Sequence, residues 1–329
     1  MRAGDRAHLF CILRHPPIGG CRGPSVHRYR RPLLRGILGC MTESVIEVRD
    51  LRKDYGDFTA VDGISFDIER GETFALLGPN GAGKSTTIEI LEGYRHRSSG
   101  EVRVLGVDPQ HGGLDWKARL GIVLQSTGEA GSFTVRELLK EFAGYYPRPR
   151  DVDEVIAAVG LEQKQRTRAA RLSGGQQRRL DVALGIIGRP ELLFLDEPTT
   201  GFDPEARRQF WDLIRSLKAE GTSILLTTHY LDEAAQLGDR AAVIAGGTIA
   251  AIGRIDELGG ADSRIPLVRW TDAAGARREE RTGEPGALVS ALQREGGEPR
   301  DLEVVRPTLE DIYLDLIRAF DSRLEEAAA

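Results

Sequence analysis

Gly78-Pro79-Asn80-Gly81-Ala82-Gly83-Lys84-Ser85 follows directly on the apolar run Glu72 to Leu77 and opens the breaker-free stretch Lys84 to Glu92. The apolar run predicts a buried strand and the stretch after the loop predicts a helix. A loop of the form G-x-x-x-x-G-K-[ST] between a strand and a helix is a phosphate cradle. Its glycines let the backbone wrap a polyphosphate, so that successive N–H groups and the positive helix end meet the negative charge. Gly78, Pro79, Asn80, Gly81, Ala82, Gly83, Lys84, Ser85 and Thr86 are therefore expected to bind a nucleotide. Lys84 is expected on the β and γ phosphates, and Ser85 is expected to offer its hydroxyl to magnesium.

A second apolar run, Leu192-Leu193-Phe194-Leu195, ends in Asp196 and Glu197. It places two carboxylates at the carboxyl end of a sheet strand, where open α/β sheets bind ligands. Asp196 is expected to hold magnesium, and Glu197 to orient or deprotonate an attacking water, the part that hydrolysis needs beyond binding.

Outward from these two points, short β-branched runs alternate with helical patterns from Met41 on, which predicts an α/β fold with a mostly parallel central sheet and a β-rich N-terminal part. Thr134 to Tyr146 and Asp151 to Val159 read as two helices with no strand between them, a helical insertion spanning about 126–187. Helix Gln176 to Ile187, strand Leu192 to Leu195, helix Pro204 to Glu220, strand Ser223 to Thr227 and helix Leu231 to Leu237 then resume the alternation. A Gly/Ala/Ser/Asp cluster around Gly259 to Ser263 marks a boundary. The chain thus divides into a core over 41–258 and a small α+β domain over 259–329, which reads as strand, strand, helix, strand, helix.

Composition agrees with a globular chain: of 329 residues 40% are hydrophobic and 29% charged, which excludes fibrous and disordered classes. The net charge of -5 hides an asymmetry, because residues 1–40 hold eight Arg against Asp5 alone and so carry +7, leaving -12 on the remainder. Cys11, Cys21 and Cys40 all lie in that basic tail without the paired spacing of a zinc site. A cysteine-free body suits a reducing compartment. No run approaches the roughly 18 apolar residues that cross a bilayer; the nearest, Ala241 to Gly253, is short and broken by glycine. The tail lacks the apolar core of a secretory signal, and the strand pattern Val45, Ile46, Val48 begins just after Met41. Residues 1–40 are expected to be disordered or no part of the native protein, with Met41 as the true start.

Leu172-Ser173-Gly174-Gly175-Gln176 opens a predicted helix, and a serine followed by two glycines at a helix start exposes N–H donors and a positive dipole end, an anion site. With it the chain resembles the ABC (ATP-binding cassette) ATPases from about residue 44 to 255, in motif order: Tyr55, the phosphate loop, Gln125, the signature Leu172 to Gln176, Asp196-Glu197, Gly201 to Asp203, and His229. The resemblance implies a phosphate-loop NTPase core whose cofactors are ATP and Mg2+. It implies that Tyr55 stacks on adenine, that Gln125 senses metal and attacking water, and that His229 contacts the γ-phosphate. It further implies a head-to-tail dimer in which Ser173, Gly174, Gly175 and Gln176 of one subunit complete the site that holds Lys84 of the other, and it counts Asp203 among the nucleotide-binding residues. Phe202 departs from the leucine usual in the family, a bulkier residue expected at the subunit interface.

Within that family the chain is similar to the separate ATPase subunits of daunorubicin and multidrug-type bacterial exporters, on the strength of the closing segment Pro307 to Tyr313 and the small appended domain. This implies a peripheral position on the cytoplasmic face of the membrane, a separate transmembrane permease as partner, a second ATPase subunit of the same or a homologous chain, and export of a drug, lipid or polymer. Ser126 to Thr134 and the helices after it are expected to dock the permease. Two alternatives stand beside it, an importer ATPase and a soluble ABC protein of ribosome or DNA. The acidic body lacks a basic nucleic-acid footprint, and Lys84 to Ser173 is too short a span for the long coiled coil of the DNA-repair type.

Overall fold

A computed structural model of the protein describes residues 43–123, 132–272, 274–296 and 299–328. The basic tail with its cysteines, Met41, Gln125 and the stretch from Ser126 to residue 131 lie outside the described residues.

The N-terminal part comprises β1 (Ser44–Tyr55), β2 (Phe58–Glu69), β3 (Thr73–Leu77), helix α1 (Lys84–Leu91), β4 (Ser99–Val104), the single turn α2 (Leu114–Lys117) and β5 (Leu120–Val123). The helical part holds α3 (Val135–Ala143), α4 (Val152–Ala158) and α5 (Gly174–Ile186). The chain then returns to the core through β6 (Leu192–Asp196), α6 (Pro204–Ala219), β7 (Ser223–Thr227), α7 (Leu231–Leu237), β8 (Arg240–Ala245) and β9 (Thr248–Arg254). The tail contains β10 (Leu267–Thr271), β11 (Arg277–Arg281), α8 (Pro285–Gly296), β12 (Arg300–Val305) and α9 (Leu309–Ala328). This is the strand, strand, helix, strand, helix order that its pattern predicts.

The central sheet runs β5-β6-β7-β3-β8-β9, parallel throughout except for β9, which pairs antiparallel with β8 at the edge. Its middle strands read as nearly unbroken apolar runs because layers cover both faces: all five residues of β3 and of β7 are buried. The register aligns Leu76 with Thr227 and Asp196 with Thr227. The carboxyl ends of β3, β7 and β6 therefore stand side by side, and the loops leaving them share one edge. A separate antiparallel sheet, β2-β1-β4, lays its apolar side over α1 and the central sheet, joining Ile46, Val48, Phe66 and Ile68 to Phe74, Leu76 and Phe194 in one buried cluster.

The helical part is not a separate body. Val135, Leu138, Leu139, Val155 and Ile156 share a continuous buried cluster with Leu193, Leu195, Ile224 and Leu226 of the sheet. Helix α3 stops at Ala143, short of the Tyr146 that its pattern allows, because the chain turns to lay the Tyr146 ring under Gly188, where a Cβ would come within 2.4 Å of it. Helix α5 starts at Gly174, two residues before the expected Gln176. Ser173 caps it, accepting from the Gln176 N–H while the Gln176 side chain accepts from the Ser173 N–H, the reciprocal box that satisfies two orphan donors of a helix start. In the tail, β11-β10-β12 forms a small antiparallel sheet. Helix α9 packs Leu309, Tyr313, Leu316 and Ile317 onto Ala75, Leu77, Ala241 and Val243 of the central sheet.

Candidate active site

The phosphate loop leaves β3 at Gly78 and enters α1 at Lys84. Gly78 and Gly83 are required sterically as well as conformationally: a Cβ on Gly78 would lie 2.2 Å from the Ile244 carbonyl oxygen, and one on Gly83, at φ 104°, would lie 2.5 Å from that of Ala60. Backbone on backbone at that distance cannot relax, so only glycine fits. Lys84 folds back across the loop and donates to the carbonyls of Gly78 at 2.7 Å and Pro79 at 3.0 Å. Burial lowers its pKa, opposed by the nearby carboxylates of Glu197 and Asp196, and an anion beside it would relieve that desolvation.

Asp196 closes β6 and accepts a hydrogen bond from the Thr227 hydroxyl of the neighbouring strand. Glu197 follows with a left-handed backbone, φ 46°, a conformation that costs a non-glycine residue about 1–2 kcal/mol. Its N–H is held by the Thr227 carbonyl at 3.0 Å. From the end of β7, His229 brings Nδ1 within 3.4 Å of Glu197 Oε2. These groups surround one cavity of about 750 Å³ lined by Tyr55, Phe58, Ala60, Asn80, Gly81, Gly83, Lys84, Ser85, Thr86, Asp196, Glu197 and His229. It offers a cation and loop N–H groups to phosphates, a hydroxyl and a carboxylate to a hard cation, and a carboxylate beside an imidazole to a water.

The structure thus gathers most of the predicted residues and separates others. Gly78, Pro79 and Ala82 do not line the cavity; Ala82 is buried, and the carbonyls of the first two hold Lys84. Ser173, Gly174, Gly175 and Gln176 stand elsewhere, at the start of α5, with Ser173 and Gly174 exposed. Asp203 caps α6, accepting from the Ala206 N–H at 2.8 Å, and is not in the cavity wall. Gln125 lies outside the described residues. Phe202 corrects an expectation: it is not offered to a subunit interface but is 7% exposed in the core, edge-on to Phe210 with ring centroids 6.0 Å apart. Its larger ring fills the space under α5 and α6.

Phe58 was missed by sequence reasoning. It faces Tyr55 across the end of the β1–β2 hairpin and is 62% exposed at the cavity mouth. The signal was present in Tyr55-Gly56-Asp57-Phe58, because a two-residue turn of Gly and Asp sets its flanking residues opposite each other. Lys53 Nζ and the Arg95 guanidinium stand 4.9 Å and 5.3 Å from the Tyr55 ring centre, fixing that ring by cation–π attraction.

Comparison with known proteins matches this geometry. The family model for ABC transporters matches residues 61–200. The daunorubicin resistance ATP-binding protein DrrA3 of Streptomyces coeruleorubidus is 35% identical over 318 residues, covering 88% of this chain and 100% of that one. The chain belongs to the ABC transporter ATP-binding proteins. A second ABC relative, the Nod factor export ATP-binding protein I of Ralstonia nicotianae, is 37% identical over 316 residues, covering 88% of this chain and 98% of the relative. Among solved structures, the ADP conformation of an ATP-binding cassette of an ABC transporter overlays with a TM-score of 0.57 at 25% identity, covering 65% of this chain and 92% of that one. An ABC transporter ATP-binding subunit overlays at 0.59 and 27% identity, with 64% and 90% covered. As an ABC ATPase subunit the chain binds and hydrolyses ATP, and among the described residues no helix is long and apolar enough to cross a membrane.

Proposed function

We propose that this chain is the motor of an exporter, working as a head-to-tail dimer beneath a separate transmembrane permease on the cytoplasmic face of the membrane. One observation carries the proposal: the cavity gathers Lys84, Asp196, Glu197 and His229 from one chain, while the signature turn Ser173 to Gly175, itself an anion site, stands outside it with Ser173 and Gly174 exposed. A second copy supplies that turn to the open side of the cavity. The γ-phosphate is then held by both subunits, so ATP favours the closed dimer and its hydrolysis favours the open one.

Within each site Lys84 and the loop N–H groups neutralise phosphate oxygens, and Tyr55 with Phe58 stacks the base. Glu197 accepts a proton from the attacking water whose oxygen joins the γ-phosphorus, ADP leaving with the electrons of the broken bond. His229 holds the transferred phosphate beside Glu197. Among the described residues no group of three or more His, Cys, Asp or Glu could hold a metal on its own. The oxygen donors Ser85 and Asp196 do share the cavity, which fits Mg2+ as an ion that takes one or two protein oxygens and the rest from phosphate and water. Ser85 and Asp196 would hold magnesium there, and the ion would supply positive charge against the phosphates. Gln125 is proposed to complete that shell.

Export is supported by the names of relatives that cover nearly all of their own length, one for daunorubicin resistance and one for Nod factor export; the cargo is proposed to be a drug, lipid or polymer. Ser126 to Thr134 with α3 and α4 is proposed as the face that docks the permease, supported by Phe133, 45% exposed at the start of α3. Two measurements test the proposal. Glu197→Gln retains ATP binding, falls to a small residual turnover and elutes as a dimer in size-exclusion chromatography with ATP and magnesium; elution only as a monomer overturns the dimer. Affinity capture from gently solubilised membranes yields a stoichiometric protein of several transmembrane helices; ribosomal or DNA factors in its place overturn the transporter role.

A further inference from the structure

Glu197 needs more than one hydrogen bond to stay in the left-handed region, because such a conformation persists in a non-glycine residue only where its surroundings over-determine it. The second constraint comes from the signature helix. Arg178, on α5 five residues beyond Ser173 and 6% exposed, sends its guanidinium to the end of β6. There Nε donates to the Pro198 carbonyl at 3.0 Å and a terminal nitrogen donates to the Asp196 carbonyl at 2.5 Å. The two acceptors are the residues on either side of Glu197. Asp181, one turn further along α5 and buried, brings a carboxylate oxygen within 4.0 Å of the third nitrogen and keeps the charge balanced.

We propose that Arg178 is a positioning residue for ATP hydrolysis: its fork brackets Glu197, fixes the backbone that aims the carboxylate, and ties that aim to the helix carrying the signature turn. The inference rests on Glu197 as the acceptor of the water proton. The geometry requires a planar fork, since two carbonyls separated by a whole residue must be reached from one side chain in a fixed plane; the ammonium of lysine cannot span both. A burial this deep also costs a guanidinium its hydration, and burial lowers the Arg178 pKa against the pull of Asp181 and Asp196. An arginine kept there at that cost is spent on geometry. Because Arg178 and Ser173 share one rigid helix, displacement of the signature turn by a partner's phosphate moves the clamp and with it Glu197.

The test uses the full chain with ATP and magnesium. Arg178→Lys keeps the charge beside Asp181 and loses the fork; it is expected to lower kcat by about 100-fold, the scale of a misplaced catalytic group, with KM and the affinity for a fluorescent ATP analogue unchanged. Arg178→Gln combined with Glu197→Gln is expected to turn over no more slowly than Glu197→Gln alone, because Arg178 acts through Glu197. Wild-type kcat in Arg178→Lys, loss of ATP affinity together with turnover, or further loss in the double variant overturns the proposal. Full turnover in Glu197→Gln alone overturns the reading of Glu197, and that outcome is seen independently of Arg178.

Discussion

Glu92 caps the carboxyl end of α1, 8% exposed behind the phosphate loop. Burial raises its pKa well above the usual carboxylate range, with the negative charges of Asp196 and Glu89 pushing the same way. The folded chain therefore holds a proton that the unfolded chain has released, and the sign follows from linkage. Stability is fully present below the ordinary Glu value and is lost as pH rises toward the raised one. Glu92→Gln, permanently neutral and of the same shape, removes that loss. Its melting temperature is expected to exceed that of the parent chain by a margin that grows from pH 5 to pH 8, read by thermal scans across that range. A margin that stays constant with pH would show that Glu92 is ionised in the folded chain throughout that range, as it is in the unfolded one, and that its pKa is not raised.

At the scale of the element, two helices begin with the same device and differ in what else the first residue is asked to do. Thr134 caps α3 and Ser173 caps α5, each in a reciprocal box with the residue three positions on. Losing either cap costs about 0.5–2 kcal/mol of stability. Thr134→Ala is expected to show that loss in chemical denaturation while keeping the parent turnover per folded molecule. Ser173→Ala is expected to show the same loss and, in addition, to fall more than tenfold in turnover, roughly the factor set by 1.4 kcal/mol of transition-state contact. Equal turnover in the two variants would remove Ser173 from the site. The helix start is legible in sequence because a cap is a local pattern. That Ser173 stands exposed and apart from the cavity is not, since it depends on how α5 packs against the sheet.

At the scale of the whole molecule, a late helix packs the tail onto the central sheet. Helix α9 lays one face on β3, β8 and α7, and its Ile312 is buried, 1% exposed. A Cβ on Gly259 would lie 2.5 Å from Ile312 Cγ2, so the boundary glycine that marks the tail in sequence is also where the tail helix seats. Ile312→Ala is expected to lower the stability of the whole chain by about 2–5 kcal/mol, the cost of emptying a buried aliphatic site, measured as a single shifted urea transition. Two separate transitions, with only the smaller one shifted, would show instead that the tail unfolds independently of the ATPase core.

Local chemistry was legible in this chain. The phosphate loop, the Asp196-Glu197 pair and the signature turn are each contiguous, and the backbone geometry each demands restricts the residues that can stand there, so the pattern alone announced nucleotide chemistry and the α/β core. What the tertiary structure decided depends on partners distant in sequence. The strand order β6-β7-β3 brings Glu197 and His229 to the phosphate loop, the hairpin register sets Phe58 beside Tyr55, and core packing turns Phe202 inward. Arg178 reaches around Glu197 only because α5 lies against β6. Those placements arise from minimising exposed apolar surface over the whole chain, a sum over contacts that no short stretch of sequence contains.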